Sequence, residues 1–419
     1  MNARQRVQAA LSHHQPDRIP VDFGSTAVTG MHVACVAALR RHYGLEQRPV
    51  RVWEPYQMLG ALDDDLMQTL GIDVTGIGAR NTLFGFPNEN WREFNTPWGQ
   101  EVLVSEHFRT TTDHNGDLLL HPGGDPQAPP SGRMPVGGYY FDTIIRQEPL
   151  DEASLDPADN LEEFGPISEP DLRHIAAAAE RIASSPLARV GSFGGTGLGD
   201  IALVPAPFLK HPRGIRDVAE WYMATVSRPD YVHQVFQAQT EMALRNLARI
   251  HQVVGDAIDV LFVCGTDFGT QQSTFCSPAT FDSLYAPYYT RINAWVHEHT
   301  TWKTFKHSCG AIEPFISRFA DCGFDILNPV QCSAAGMDPA TLKSRYGDRL
   351  VFWGGGVDTQ KTLPFGTPQE VREQVLRRCE IFGRDGGFVF NAIHNLQMNT
   401  PAENLAAMFQ ALHEFDESP

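Results

Sequence analysis

The feature that most constrains the fold is a regular alternation of short apolar strands with longer helical stretches. Such alternation is typical of parallel sheets, because two parallel strands need a crossover connection that is usually a helix. The pattern predicts eight strands: Ile19–Phe23, Asp73–Ile77, Ala188–Gly194, Ile258–Cys264, Lys303–Lys306, Asp325–Pro329, Leu350–Trp353 and Gly387–Asn391. In a chain of 419 residues, this count favours a closed (β/α)8 TIM barrel over an open doubly wound sheet.

Helical periodicity fills the gaps between these strands. Predicted helices cover the N-terminal stretch to Leu11, Met31–Tyr43, Asp64–Leu70, Pro170–Ser184, Ile215–Thr225, Pro229–Val254, Pro278–His299, Ile312–Ala320, Pro339–Arg345, Pro368–Phe382 and Pro401–Phe415. Four of them begin with a capping side chain followed by proline, at Ser277, Asp338, Thr367 and Thr400. This arrangement marks a helix start, because proline has no amide proton to lose there.

Residues from about 80 to 170 interrupt the alternation. The stretch from Trp91 to Pro122 alternates apolar and polar residues and contains the hairpin-turn pair Asn115-Gly116, and proline and glycine crowd residues 122–138. We predict a small antiparallel β/loop insertion after the second strand. It would serve as a lid or an interface within a single domain, residues 1–419.

Composition excludes several classes of function. The net charge of −17 opposes binding to nucleic acids and to anionic membranes. No apolar run approaches the roughly 20 residues that span a bilayer, and the N-terminal stretch lacks a signal-peptide core. Seven cysteines without a framework favour a reducing, cytoplasmic location. No Walker or dinucleotide fingerprint is present, so no nucleotide cofactor is predicted.

The fifth predicted strand leads directly into His307-Ser-Cys309-Gly310. A His-x-Cys pair offers an imidazole and a thiolate where a barrel gathers its chemistry, the C-terminal ends of the strands. His394 follows the last strand in the same way. The three residues are candidate ligands for Zn²⁺ with a fourth position open. The alternative is that they are polar loop residues that hydrogen-bond one another.

Other polar residues are predicted at the same end of the barrel. Asp267 follows the fourth strand as a candidate general base or imidazole partner, although it could simply cap the glycine turn beside it. Asn328, Gln331 and Asn391 are candidate substrate hydrogen-bonders. Glu54 is predicted in a loop after the first barrel helix, where it could face the mouth of the barrel.

Several motifs resemble one known superfamily when taken together. They are Arg4–Leu11 with Pro16–Asp22, His307-Ser-Cys-Gly310, Asp325–Gln331, Ala335–Pro339, Leu350–Gly355, Thr362–Pro368 and His394-Asn-Leu-Gln397. The chain resembles the uroporphyrinogen decarboxylase superfamily, and in particular its cobalamin-linked methyltransferase branch. The likeness covers most of the chain except residues 80–170.

The resemblance implies a (β/α)8 barrel whose mouth binds a tetrapyrrole-type or methyl-bearing substrate. In the methyltransferase branch a zinc ion is held by a His-x-Cys pair, which His307 and Cys309 match, and by a third ligand near the last strand. No corrinoid motif occurs in the chain, so the resemblance implies that cobalamin arrives on a separate partner protein. It also implies a homodimer.

One departure from the branch affects the chemistry. The third ligand is typically a cysteine in the thiol-methylating members, and His394 occupies that place here. Two thiolates would neutralise Zn²⁺, whereas one thiolate with two neutral imidazoles leaves a positive centre and a stronger Lewis acid. We therefore expect a zinc-dependent methyltransferase or demethylase acting on a small methoxy or methylamine donor rather than on a thiol.

Two alternatives remain open. The first is a metal-free decarboxylase of a tetrapyrrole or another carboxylate, although the Arg-Gln-Ala-Gly-Arg type of substrate motif is not found and the chain is strongly acidic. The second is a non-catalytic barrel that binds a corrinoid or a carrier protein. Metal content would discriminate between the first alternative and the zinc enzyme.

Overall fold

Fifteen β-strands occur in the computed structural model, counted over the described residues, 1–161 and 165–417. In chain order they are β1 (Val50–Glu54), β2 (Leu59–Gly60), β3 (Val74–Gly78), β4 (Trp91–Asn95), β5 (Glu101–Ser105), β6 (Thr110–Thr112), β7 (Leu118–Leu120), β8 (Gly132–Met134), β9 (Asp142–Thr143), β10 (Ala188–Ser192), β11 (Val260–Cys264), β12 (Lys303–His307), β13 (Ile326–Asn328), β14 (Val351–Trp353) and β15 (Phe388–Val389). One parallel sheet has the order β3-β10-β11-β12-β13-β14-β15. Its strands confirm the second to eighth predicted strands.

The first predicted strand, Ile19–Phe23, connects the two edges of this sheet. The amide of Asp22 donates to the carbonyl of Phe390 at 2.9 Å, and the amide of Asp73 donates to the carbonyl of Val21 at 2.8 Å. The prediction of a regular strand is wrong, since the segment makes a single isolated bridge between Val21 and Phe390. The proline within it has no amide proton for a ladder. The segment nevertheless closes the parallel sheet into a barrel.

The helices surround this barrel. Over the same described residues they are α1 (Ala3–Leu11), α2 (Val33–His42), α3 (Asp64–Leu70), α4 (Glu169–Arg181), α5 (Val218–Ser227), α6 (Pro229–Val254), α7 (Pro278–Leu284), α8 (Ala286–His299), α9 (Glu313–Asp321), α10 (Pro339–Tyr346), α11 (Thr362–Phe365), α12 (Pro368–Phe382) and α13 (Ala402–Glu417). Ser277, Asp338 and Thr367 cap their helices as predicted. The prediction of a single helix over Pro278–His299 is wrong. The helix is interrupted at Tyr285, two residues before Pro287, which lies in the first turn of α8. None of the described helices is long and apolar enough to cross a bilayer.

The interior of the barrel is a packed apolar cluster, to which each of the seven parallel strands contributes. The strand residues in it are Val74, Ala188, Val190, Val260, Phe305, Ile326, Val351, Trp353 and Val389. Helix α1 adds Val7, Ala10 and Leu11 to the same cluster. Its amide and carbonyl groups also bond to Pro186, two residues before β10, and to Gly387, immediately before β15. Helix α1 therefore covers the N-terminal end of the barrel and leaves the C-terminal end for chemistry.

Two further four-stranded sheets lie outside the barrel, with the orders β2-β1-β5-β4 and β6-β7-β8-β9. Asn115-Gly116 lies in the turn between β6 and β7, which pair as an antiparallel hairpin as predicted. The first sheet includes residues 50–60, so the excursion recruits chain that precedes β3 and lies before position 80. The role of residues 80–170 as a lid or an interface stays a prediction.

The buried carboxylate of Asp73 fastens the closing segment to the barrel. Asp73 is only 1% exposed, and it accepts hydrogen bonds from Arg6 (2.7 Å), Arg18 (2.8 Å) and the amide of Val21 (3.0 Å). It thereby ties α1 and the segment 19–23 to the start of β3. Removing one partner of a buried ion pair leaves an uncompensated charge, which is strongly destabilising.

We predict that Asp73→Ala lowers the free energy of unfolding by about 3–5 kcal/mol, because the buried guanidinium of Arg6 loses its most buried partner. Chemical denaturation followed by circular dichroism measures this loss. The control is Asp321→Ala, which breaks an exposed pair with Arg349 and should cost about 1 kcal/mol or less. Equal losses in the two variants would contradict this account of barrel closure.

Candidate metal centre

Three soft-metal ligands converge at the C-terminal end of the barrel. His307 ends β12, Cys309 lies two residues further on, and His394 lies in the loop after β15. The nitrogen and sulfur atoms that they offer all lie within 4.8 Å of one another. Cys309 Sγ is 3.5 Å from Nε2 of His307, and the two imidazole centroids are 5.7 Å apart. The fold therefore brings the predicted ligands, here called the ligand trio, together.

The ligand trio fits zinc in type and number, and one of its separations fits in length. Tetrahedral zinc, with bonds of about 2.3 Å to sulfur and about 2.0–2.1 Å to nitrogen, holds such atoms about 3.6 Å apart. The separation of Cys309 and His307 is already close to that value. Three protein ligands with one open position are the arrangement found in catalytic zinc sites.

Asn328 fixes the ring of His307. Its Nδ2 donates to the carbonyl of Trp353 at 2.8 Å, so its Oδ1 is the atom that faces Nδ1 of His307 at 2.6 Å. Nδ1 must then carry the ring proton, which leaves the lone pair of Nε2 directed towards Cys309. Both ends of the Asn328 amide are thus occupied by protein groups. Substrate binding by Asn328 stays a prediction that this geometry does not favour.

Both histidines are neutral at physiological pH. Burial lowers the pKa of His307 to about 4, and burial together with the charge of His307 lowers the pKa of His394 to about 4. The ring of His394 has no hydrogen-bond partner among the described residues. Neutral imidazole is the form that binds metal. Of the mutual hydrogen bonds that the polar-loop alternative needs, Cys309 and His307 form one at 3.5 Å, and His394 forms none among the described residues.

Asp267 lies directly beside the ligand trio. Its Oδ1 accepts a hydrogen bond from the amide of Cys309 at 2.7 Å and lies 3.9 Å from Nε2 of His307. Burial raises the pKa of the Asp267 carboxyl, and burial together with Asp267 raises the pKa of the Cys309 thiol. Zinc binding would displace the thiol proton. Asp267 therefore braces the cysteine loop while its side chain remains 29% exposed at the mouth.

The turn after Cys309 requires glycine. Gly310 has a φ of +93°, and a Cβ there would lie 2.2 Å from the carbonyl oxygen of Gly269. Its amide donates to Oε1 of Gln331 at 2.7 Å. Gln331 is thus a loop brace in this structure, and its predicted contact with substrate stays a prediction.

The loop that carries His394 is supported from the outer sheet. Oδ1 of Asn395 accepts from the amide of Gly30 at 2.6 Å, and its Nδ2 donates to Oε1 of Gln57 at 2.8 Å. The backbone amide of Gln57 in turn donates to the carboxylate of Glu54. The prediction that Glu54 lies in a loop is wrong: it is the last residue of β1, buried beneath its own turn. Gln57 carries no motif and was not predicted, whereas Asn395 lies within the His394–Gln397 motif but was assigned no role from the sequence.

A second buried polar group lies at the closing segment. Asp22 is fully buried, and its Oδ2 accepts from Ser25 Oγ at 2.7 Å and from Trp353 Nε1 at 3.0 Å. Burial raises the pKa of Asp22 to about 6. Asn391 donates to the carbonyl of Asp22, while its own Oδ1 is buried without a partner in the described part of the chain. The sequence signal for this buried polar group was Asp22 itself, an acidic residue inside the otherwise apolar stretch Ile19–Phe23.

We predict that Asn328→Ala weakens zinc binding by about 10–100-fold, because His307 loses the hydrogen bond that fixes its tautomer and orientation. Competition with a chromophoric chelator measures the affinity. Asn404→Ala is the matched control, since Asn404 is also buried and donates to two carbonyls but belongs to α13. Unchanged affinity in Asn328→Ala would show that His307 is not a ligand oriented in this way.

A second prediction concerns pH. Burial raises the pKa of Glu54 from 4.5 to about 7. The folded state therefore holds the Glu54 proton to higher pH than the unfolded state, and this contribution to stability is lost as pH rises from about 4.5 to 7. The loss amounts to up to about 3 kcal/mol.

Glu54→Gln removes this titration. Denaturation curves between pH 4.5 and 8 should show the stability of the variant gaining on the wild type as pH rises. Parallel pH profiles for the two proteins would contradict the assignment.

Comparison with known proteins gives three results. The sequence model of the family described as uroporphyrinogen decarboxylase (URO-D) matches residues 153–415. Uroporphyrinogen decarboxylase from Psychromonas ingrahamii is 33% identical over 87 residues, which are 20% of this chain and 24% of that relative. The same enzyme from Methylococcus capsulatus is 30% identical over 101 residues, 24% of this chain and 27% of the relative. The matched stretches thus span about a quarter of these relatives.

Among solved structures, a methyltransferase from Methanosarcina mazei superposes over 99% of both chains. The TM-score is 0.54 and the sequence identity is 16%, so the likeness is one of fold. The family match covers well over half of the chain and includes β12 and the loop after β15, and therefore all three residues of the ligand trio. The protein therefore belongs to the uroporphyrinogen decarboxylase (URO-D) family.

Proposed function

We propose that the protein is a zinc-dependent methyltransferase. It would take a methyl group from a small methoxy- or methylamine-type donor and pass it to a corrinoid carried by a separate protein. The single observation that carries this proposal is the ligand trio, which gathers two neutral imidazoles and one thiol within 4.8 Å at the mouth of the barrel. The fold likeness to a methyltransferase is consistent with it.

His307 through Nε2, Cys309 through Sγ and His394 through a ring nitrogen would hold the ion. Bound there, zinc supplies Lewis-acid chemistry to an oxygen or nitrogen of the donor. One thiolate cancels only one of the two charges of Zn²⁺, so the centre keeps a net positive charge. This charge favours an oxygen or nitrogen leaving group over the activation of a thiol.

The protein groups around the trio supply orientation. Asn328 holds His307 in the tautomer that points Nε2 at Cys309. Asp267 holds the cysteine loop through the amide of Cys309 and presents its carboxylate beside the ligands, where it can orient the donor. In the transfer the bond between the methyl carbon and the donor oxygen or nitrogen breaks. The methyl group passes without the bonding pair to the reduced corrinoid of the partner protein, which supplies the electron pair of the new bond. The donor atom keeps its pair and takes a proton from solvent.

Decarboxylation of a tetrapyrrole-type carboxylate is the second candidate, because the curated relatives are named uroporphyrinogen decarboxylases. A metal-free decarboxylation would not use the ligand trio as a metal site. Metal content therefore separates the two candidates. The corrinoid carrier, the methyl donor and a homodimer are parts of the proposal that rest on the family resemblance.

We predict about one zinc ion per chain in the purified wild type, measured by plasma mass spectrometry, and its loss in Cys309→Ala. Cys332→Ala is the matched control, since Cys332 is also half-buried but follows the neighbouring strand β13 and lies outside the trio. It should keep its zinc. Wild-type protein that binds no zinc, even after reconstitution, would eliminate the proposal.

The activity test follows consumption of cob(I)alamin with methoxylated and methylated-amine donors. The wild type should form methylcobalamin with at least one of these classes. Cys309→Ala should lose about a hundredfold or more in rate, since Lewis-acid assistance contributes several kcal/mol. Full zinc occupancy with no methyl transfer, but with loss of CO₂ from a carboxylate, would favour the decarboxylase.

A further inference from the structure

A buried lysine lies directly behind the candidate metal centre. Lys306 precedes His307 on β12, and because side chains alternate along a strand, its side chain leaves the barrel on the opposite face. Lys306 is 0% exposed. Its Nζ lies over the rings of three buried aromatic residues, 5.1 Å from the centroid of Phe268, 5.8 Å from Tyr289 and 5.6 Å from Phe319.

The ammonium group has an unusual set of partners for a buried charge. Among the described residues it forms no ion pair with a carboxylate. Its direct contacts are the three ring faces and two backbone carbonyls, Thr266 O at 2.7 Å and His307 O at 2.5 Å. The carboxylates of Asp200 and Asp267 attract it from a longer distance. A desolvated cation without a carboxylate in direct contact is costly to bury. Lys306 is therefore expected to have a role other than packing.

The two carbonyls belong to the two loops that build the site. Thr266 immediately precedes Asp267, and His307 is itself a member of the ligand trio. The same loops are joined three times more. The amide of Phe268 donates to Ser308 Oγ at 3.0 Å, the amide of Cys309 donates to Asp267 Oδ1 at 2.7 Å, and the amide of Ala311 donates to the carbonyl of Thr270 at 2.7 Å. Lys306 is the one of these four cross-links that lies behind the loops and carries a positive charge.

We propose that Lys306 is a positioning residue for the metal centre: it clamps the Asp267 loop to the end of β12 and so fixes the spacing of Cys309 and His307. The proposal rests on the proposed zinc site, because the spacing matters only if these residues hold a metal. The clamp acts through charge-assisted hydrogen bonds to carbonyls, which are stronger than bonds between neutral groups. Lys306 itself touches neither substrate nor metal.

The test uses Co²⁺ as a spectroscopic replacement for zinc in the full-length protein. Cobalt bound by a thiolate gives a sulfur-to-metal charge-transfer band, and its visible bands report the ligand geometry. We expect Lys306→Met, which keeps the length of the side chain but removes charge and donors, to weaken Co²⁺ binding by about tenfold. We also expect its visible bands to broaden or shift.

Lys303→Met is the matched control. Lys303 lies on the same strand, but it is half exposed and pairs with Asp325 at 3.1 Å. This variant should retain the wild-type cobalt spectrum and affinity. A spectrum and affinity in Lys306→Met identical to those of the wild type would overturn the proposal, even if the variant were less stable to heat. A purely structural lysine would lower thermal stability and leave the spectrum unchanged.

Lys306→Gln serves if the methionine variant does not fold. Glutamine keeps a donor for one carbonyl but lacks the charge, so an intermediate loss of affinity with a shifted spectrum is expected. A wild-type spectrum and affinity in folded Lys306→Gln would overturn the clamp. Failure of the zinc proposal itself is distinguishable, since the wild type would then show no charge-transfer band that Cys309→Ala removes.

Discussion

The hydrogen bonds that the segment 19–23 makes to both edges of the parallel sheet are the constraint on which the site depends. Strands β12 and β15 are separated by two other strands in that sheet. In a flat sheet three strand spacings would place them about 14 Å apart. Curling and closure instead bring His307 and His394 to within reach of one ion. Asp73 and its two arginines hold this closure at the opposite end of the barrel.

Burial sets the chemical state of the site. It keeps both imidazoles neutral, and it raises the pKa of the Cys309 thiol. Asn328 contacts the ligand trio with an amide and Asp267 with a carboxylate, while Lys306 points away on the other face of β12. A centre built in this way has lone pairs and negative charge to offer. Its chemistry suits a cation.

The sequence was sufficient to predict the barrel and to place the three residues of the ligand trio at the same end of it, because strand order and strand ends depend on local patterns. Strand–helix alternation predicts the sheet, and the His-x-Cys spacing follows from the end of one strand. Tertiary contacts decided the rest. From the sequence, Asn328 was predicted to bind substrate. In the structure its side-chain amide instead hydrogen-bonds the ring of His307 and the carbonyl of Trp353. Glu54 could not be placed, because β1 pairs with β5 from residues about fifty positions later in the chain.

Gly310 shows that one sequence motif can meet two separate requirements. With its Cβ position filled by the carbonyl of Gly269, any larger residue would push the two loops apart and carry the neighbouring cysteine with them. The residues proposed as metal ligands and the residue required for steric fit are therefore close neighbours in one tetrapeptide. A homologue that kept the glycine after losing the histidine and cysteine would preserve the shape of this corner without its chemistry, so the glycine alone is a poor marker of activity.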